Sequence, residues 1–412
     1  MEIWIVACAV GTLLARIGLA LYTCGLVRAK NAGGSLVRHF ADICVSSLAF
    51  WAVGIAVFNP KGEASWIAAG FLFGPRGMDA EIAPYLLMRF TAVLLATGVV
   101  VGALSERSRF WPSLAPAVLM GAVVVPLLAR WCGPYGWLGK MYFHDFAGAS
   151  FIHVAAGFCA GTGAIIVRAR NGKYNRDGSS NVIPGHSLPW ASAGVMLILV
   201  GWFPYLLGFA FGTGSFLGMF GTGSFLGMIA LNALLATAAA GLASLAVSHF
   251  RFGKPDIYLT LSGIMGGLVA ATAGADVMTN LSAVATGVIA GVIIPVLMLQ
   301  MDQVWRIDDP TGALVIHGVG GVWGILATGL LGSIGPSMGR LKFIGIQLTG
   351  LAVAVGLSVA LSTLLFLVLR NIASLRVREE DEFDGLDLAE HDIGAYPDFQ
   401  QTTIKSYHLR EA

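Results

Sequence analysis

The sequence predicts an all-α integral membrane protein of eleven transmembrane helices. They form two five-helix repeats of opposite orientation plus one extra helix, with the N-terminus outside and the C-terminus inside. Three observations predict this: long apolar runs, sparse charge, and one pattern of Asp, Gly and His that occurs twice. Of 412 residues, 56% are hydrophobic and 12% charged, about half the charged fraction of a soluble domain. The apolar residues come in blocks such as Trp4 to Tyr22, Tyr85 to Leu104, Trp190 to Gly208 and Ile344 to Leu369, the first two each interrupted by a single Arg. Blocks of about 17 to 25 apolar residues match the hydrocarbon thickness of a bilayer. A large soluble enzyme would need charged faces between its apolar segments, and they are absent. A net charge of +2 supplies no bulk field for nucleic acid.

Apolar runs read against polar breaks place the helices, in order, at 3–26, 39–58, 83–105, 110–131, 146–169, 187–208, 224–248, 258–275, 279–299, 312–334 and 343–370. Met1 leads almost directly into the first run, without a basic segment or a clear cleavage site, so that run reads as a retained helix and not a signal peptide. Repeat one is about 3–169, repeat two about 187–334, and the extra helix about 343–370. Together they make a membrane domain of 1–370, followed by a polar tail of 371–412. The 54 glycines suit helices that pack closely. Cys8, Cys24, Cys44 and Cys159 fall inside apolar segments and Cys132 at the end of one; they read as small apolar core residues, with neither a disulfide framework nor metal spacing. Residues 212–219 read GTGSFLGM and so do 221–228. Two copies are too few for a repeat architecture, and the duplication reads as a lengthened external loop or start of helix seven.

Orientation follows from basic residues. The loops after odd-numbered helices hold twelve Lys and Arg, from Arg28 to Arg306, whereas the other side holds Lys61, Arg76, Lys140, Arg340 and Lys342, with Arg130 at the edge. That excess puts the tail in the cytoplasm.

The third observation carries the chemistry. Asp145-Phe-Ala-Gly-Ala-Ser-Phe-Ile-His153 opens helix five, and Asp309-Pro-Thr-Gly-Ala-Leu-Val-Ile-His317 opens helix ten. Each has Asp, Gly three later, His eight later, then Gly157 or Gly321 four beyond the His. Helices five apart enter from opposite sides, as in an inverted repeat whose site lies near the midplane. Asp145 and Asp309 sit where a carboxylate caps a helix N-terminus. Eight residues span about 12 Å, which puts each His near mid-bilayer. A lone buried His is usually a hydrogen-bonded structural residue, but intramembrane ionisable groups at symmetry-equivalent depths line pathways. Two imidazoles can share an N–H···N bond, stay neutral, and relay a proton.

These stretches resemble the ammonium transporter family. DFAGASFIHVAAG is similar to the motif around its first pore histidine and DDPTGALVIHGVGGVWG to that around the second. GLVRAKN (25–31), GALSERSRF (102–110), GWF (201–203), GKP (253–255) and EFDGLDLAEHDIGAYPDF (382–399) follow in the family order. The resemblance implies a homotrimer in the cell (inner) membrane with one pore per subunit. Ammonium is captured outside, loses its proton, and crosses as ammonia past His153 and His317, while the proton moves separately in electrogenic members. It also implies that the tail binds a PII-type signalling protein.

The outer half of the pore departs from that pattern. Members capture the cation with a Trp and a Ser above two stacked Phe rings. Here the Trp position falls in residues 130–134, with Trp131 matching an earlier aromatic. The first gate Phe aligns with Ala92, beside Phe90, the second with Tyr205, and the Ser with Phe209. Arg89 stands where many members carry Gln, and Trp202 of the GWF match belongs to the same region. Tyr205 and Phe209 either rebuild a shifted aromatic cage or mark a lost selection for ammonium. Unpaired Arg16, Asp42 and Arg89 within helices would cost at least about 2.5–3.5 kcal/mol each. Asp42 is therefore expected to pair with Arg16 or Arg89, either as a structural salt bridge or as part of an Arg guard at the vestibule. The rival readings are an ammonium sensor reporting through the tail and a paralogue passing methylamine or another small solute. No nucleophile elbow, phosphate loop or metal cluster appears, so neither an enzyme nor a cofactor is expected.

Overall fold

The computed structural model describes residues 2–59, 71–74, 82–212, 223–335 and 338–396. Among these there is no β-strand, only two isolated bridges. Ten helices among the described residues are long and apolar enough to cross a membrane. In chain order they are α1 (Glu2–Leu26), α2 (Ala32–Ala49, continued by Phe50–Gly54 and Ile55–Phe58) and α3 (Ala83–Leu104). Next come the broken α4 (from Phe110–Ser113 to Trp137–Lys140), α5 (Ala149–Val154 with Ala155–Val167), α6 (Leu188–Gly212) and α7 (Gly223–Phe252). After α8 (Ile257–Ala271) follow α9 (Asn280–Gln303), α10 (Leu314–Val319 with Gly320–Leu331) and α11 (Arg340–Ile372). The tail adds the short α12 (Glu379–Asp384) and α13 (Leu386–His391).

Several boundaries differ from those expected. Helix α2 begins at Ala32 and not at 39, the fourth helix runs on to Lys140 and not to 131, and α9 ends at Gln303 and not at 299. Helix α8 and the fourth helix depart for physical reasons. Helix α8 has 15 residues, about 22 Å of helix, shorter than the expected 258–275. The chain turns after Ala271 because the carbonyls of Thr272 and Ala273 accept hydrogen bonds from Ala147 N (3.2 Å) and Phe146 N (3.0 Å), which lead into α5. The fourth helix is not one smooth rod: Pro112, Pro116 and Pro126 lack a backbone N–H, and a π turn over Met120–Val124 inserts a residue. The GTGSFLGM duplication lies mostly in 213–222, outside the described residues, as do Lys61, Arg76 and 397–412.

Small residues set the packing. Helices α1 and α6 run against each other so closely that a Cβ on Gly18 would lie 2.5 Å from the Gly194 carbonyl oxygen. Without a hydrophobic drive between helices in lipid, backbone approach of this kind maximises van der Waals contact. Helices α5 and α10 meet at the centre, where a Cβ on Gly157 would lie 2.1 Å from the Gly318 nitrogen. Around them α3 packs on α5 and α8 on α10. Apolar side chains such as Leu242, Leu281, Leu341 and Leu364 face outward, as lipid-facing positions require.

Candidate functional site

The two helices that open with Asp are built alike. Asp145 accepts hydrogen bonds from the backbone N–H of Gly148 (3.2 Å), Ala149 (2.7 Å) and Ser150 (2.8 Å), and from the Ser150 hydroxyl. Asp309 accepts from Thr311 N (3.2 Å) and from Leu314 N (2.9 Å), five residues on, as Ser150 is from Asp145. Gly148 has φ +91° and Gly312 φ +67°, left-handed values that side chains resist. The Asp-to-Gly spacing is thus the geometry of a tight turn that folds the carboxylate over the first N–H groups of the helix.

From each turn the chain enters a π segment, Ala149–Val154 in α5 and Leu314–Val319 in α10. Each carries its histidine, and such inserted residues occur often at functional sites. His153 and His317 meet through their Nδ1 atoms at 3.3 Å, with ring centroids 5.4 Å apart and planes 22° apart. Both are buried. In such a contact one Nδ1 donates and the other accepts, so the pair is coherent with both rings neutral. Trp202 stacks on His153 at 5.1 Å and 15°. The Trp202 Nε1 and the His153 Nε2 are buried and have no hydrogen-bond partner among the described residues. A buried donor and acceptor side by side, among stacked rings, suit a small solute that both donates and accepts.

Toward the Asp145 end, the rings continue. Tyr205 stands 6.5 Å from His153 and 5.5 Å from Trp202, and its hydroxyl donates to the Ala147 carbonyl. Phe209 follows at 5.2 Å from Tyr205, and Phe151 lies 6.1 Å from Phe209. Beyond them sits the Arg89 guanidinium, 4.7 Å from the Phe209 ring centroid, 5.1 Å from Phe58 and 5.7 Å from Phe151. The structure thus brings Arg89, Trp202, Tyr205 and Phe209 into one column with the histidines. Trp131 instead pairs edge-on with Trp137 at 6.0 Å, and Phe90 with Phe50 at 4.7 Å, while Ala92 is a buried methyl. Sequence reasoning missed Phe58 and Phe151. Phe151 stands two residues before His153, in a stretch already singled out, but Phe58 gave no signal.

Asp42 pairs with Arg16 (2.7 Å), both being buried, and not with Arg89. Thr97 donates to the same carboxylate at 2.9 Å, and Arg16 also donates to His39 Nδ1 at 2.8 Å. On the tail face a second charged cluster forms, in which Glu106 binds Arg28 (2.8 Å), Arg170 and Asn31. Burial pushes the Glu106 carboxyl up, but Arg170 and Arg28 outweigh it and hold it down at about 2. Arg170 also binds Asp308 at 2.8 Å. Burial again opposes ionisation of Asp308, yet Arg107 and Arg170 hold its carboxyl well below the usual range. The tail docks here: Asp387 accepts from Gly33 N and Gly34 N, Glu390 binds Arg38, and Glu382 binds Arg376. The residues that tie the tail down thus sit in or beside the stretches 25–31, 102–110 and 382–399, whose contacts sequence alone did not connect.

A model of the Ammonium Transporter Family matches residues 3–396. An ammonium transporter, Amt2, from Archaeoglobus fulgidus is 31% identical, over 96% of this chain and 88% of its own length. The ammonium transporter of Bacillus subtilis is 30% identical over 95% of this chain and 97% of its own. Among solved structures, a Sensor Amt Protein superposes with a TM-score of 0.86 at 30% identity, covering 95% of this chain and 98% of that one. Mep2 of Candida albicans superposes at 0.81 with 23% identity, over 92% and 86%, which bears on the fold.

Proposed function

This chain belongs to the ammonium transporter family; it is a multi-pass membrane transporter of ammonium and not an enzyme, and from that premise we propose how its pore works. The substrate gives up its proton to water on the Asp145 side and passes as ammonia along the Trp202, Tyr205 and Phe209 rings to His153 and His317. Ammonia donates to one ring nitrogen and accepts from the Trp202 N–H, so it exchanges water for protein partners without carrying charge through hydrocarbon. Asp145 and Asp309 hold the ends of the two half-site helices. The observation that carries this reading is the buried Nδ1-to-Nδ1 contact of 3.3 Å, next to an unpartnered Nε2, on two helices with matching turns.

The same reading takes α8 as a short eleventh crossing and the chain as two inverted five-helix repeats plus α11. The N-terminus lies outside and the tail in the cytoplasm of the inner membrane, and three copies assemble with one pore each. The docked tail is the surface a PII-type protein would meet. To test transport, purified protein is placed in liposomes with an internal pH dye and given an ammonium pulse. Internal alkalinisation faster than in protein-free vesicles is expected. A rate equal to the protein-free vesicles contradicts it and favours the second reading, a sensor, which the likeness to a Sensor Amt Protein supports.

A further inference from the structure

We infer that Arg89 is a tethered cation that fills the aromatic cage above the histidine pair, so that the pore admits only a neutral solute and ammonium transport by this chain carries no net charge. The inference rests on the transport reading above and names the species that the same pore selects.

Three observations carry it. The guanidinium lies within 5.7 Å of three ring centroids, Phe58, Phe151 and Phe209, which come from three different helices. Ring faces at such distances are cation sites, and here the cation is supplied by the chain. Arg89 has no ion pair and no hydrogen bond to a carboxylate among the described residues, whereas Arg16, two helices away in sequence, is neutralised by Asp42 at 2.7 Å. The nearest acid in the chain order of the site, Asp145, has its oxygens engaged by Gly148, Ala149 and Ser150. Asp145, the acid that acts on Arg89 through space, is thus already committed to its helix turn and to the guanidinium, which leaves a second cation little counter-charge.

The cage also stands in series with the histidines. Phe209 touches Tyr205 at 5.2 Å and Tyr205 faces His153 at 6.5 Å. A monovalent cation approaching along this column meets a fixed positive charge in a low-dielectric wall, where repulsion is weakly screened. Ammonia, which is uncharged, does not. Arg89 is thus a specificity-determining residue: it leaves the proton in the aqueous phase and passes the base.

Proteoliposomes of the wild type, Arg89→Gln and Arg89→Lys are given ammonium pulses with two parallel readouts, internal pH and current on a solid-supported membrane. The expected result is internal alkalinisation in all three, with current absent from the wild type and Arg89→Lys. In Arg89→Gln an ammonium-evoked current appears where the wild-type trace stays at the level of protein-free vesicles. A wild-type current equal to that of Arg89→Gln overturns the inference and leaves transport intact. So does an Arg89→Gln protein that alkalinises its vesicles without current. If Arg89→Gln does not fold, the wild type alone decides, because an ammonium-evoked wild-type current contradicts a neutral-only pore. Absence of alkalinisation in the wild type, by contrast, is failure of the transport reading itself.

Discussion

Arg16 and Arg89 show how the same residue type in the same setting takes two fates. Both are basic side chains in apolar helices, and charge counting alone left either as the partner of Asp42. The structure pairs Asp42 with Arg16, adds Thr97 to the carboxylate and His39 to the guanidinium, and buries all four. Only distance in space could choose between the two arginines, because both satisfy the same electrostatic demand. Removing one partner strands the other charge in hydrocarbon, which typically costs about 3–5 kcal/mol. Asp42→Ala is therefore expected to lower the thermal midpoint of the detergent-solubilised protein sharply. Asp42→Ala together with Arg16→Met should recover most of the loss, and a single variant as stable as wild type would show that the pair contributes nothing.

The helices were legible to different depths. Asp145 and Asp309, with glycine three residues on and histidine eight on, announced two equivalent helix starts, and the structure explains the spacing through left-handed Gly148 and Gly312. The π segments that carry His153 and His317 had no such signal, since an inserted residue in a helix leaves the apolar pattern of a fully buried segment unchanged. The end of α8 was illegible for a related reason. Residues 272–275 remain small and apolar, and what stops the helix is a pair of carbonyls claimed by Phe146 and Ala147, far away in sequence. The aromatic column was half legible: Trp202, Tyr205 and Phe209 lie one turn apart on α6 and were named together. The cage around Arg89 needed Phe58 and Phe151 from other helices, a conjunction that only the tertiary fold creates. The tail was expected to be polar and was given no structure; α13 is held by Asn31, Gly33 and Gly34, which bind the Leu386 N–H and the Asp387 carboxylate, and α12 by Arg376 on Glu382.

On the scale of the whole molecule, charge is concentrated on one face. Glu106, Arg28, Arg170, Asp308 and the tail acids join the loops after α1, α3, α5 and α9 into one sheet of ion pairs. The sign of its pH dependence follows from Glu106, whose carboxyl is held at about 2 against the opposing effect of burial. A depressed carboxyl contributes stability that is present above its unfolded value of about 4.3 and is lost as pH falls toward the folded value. The protein should accordingly lose stability between about pH 4.5 and pH 2, read as a falling thermal midpoint in detergent. Glu106→Gln should flatten part of that slope while lowering the midpoint at pH 7. An unchanged slope would assign the acid sensitivity to other carboxylates.

The central claim is that ammonia crosses at the contact of His153 with His317. The measurement that tests it most directly is the rate of internal alkalinisation in liposomes holding equal amounts of wild type and His153→Ala/His317→Ala, each checked to be the same size in solution. If ammonia crosses there, the rate of the double variant falls to that of protein-free vesicles. A double variant that alkalinises its vesicles as fast as the wild type would place the path of ammonia elsewhere in the molecule.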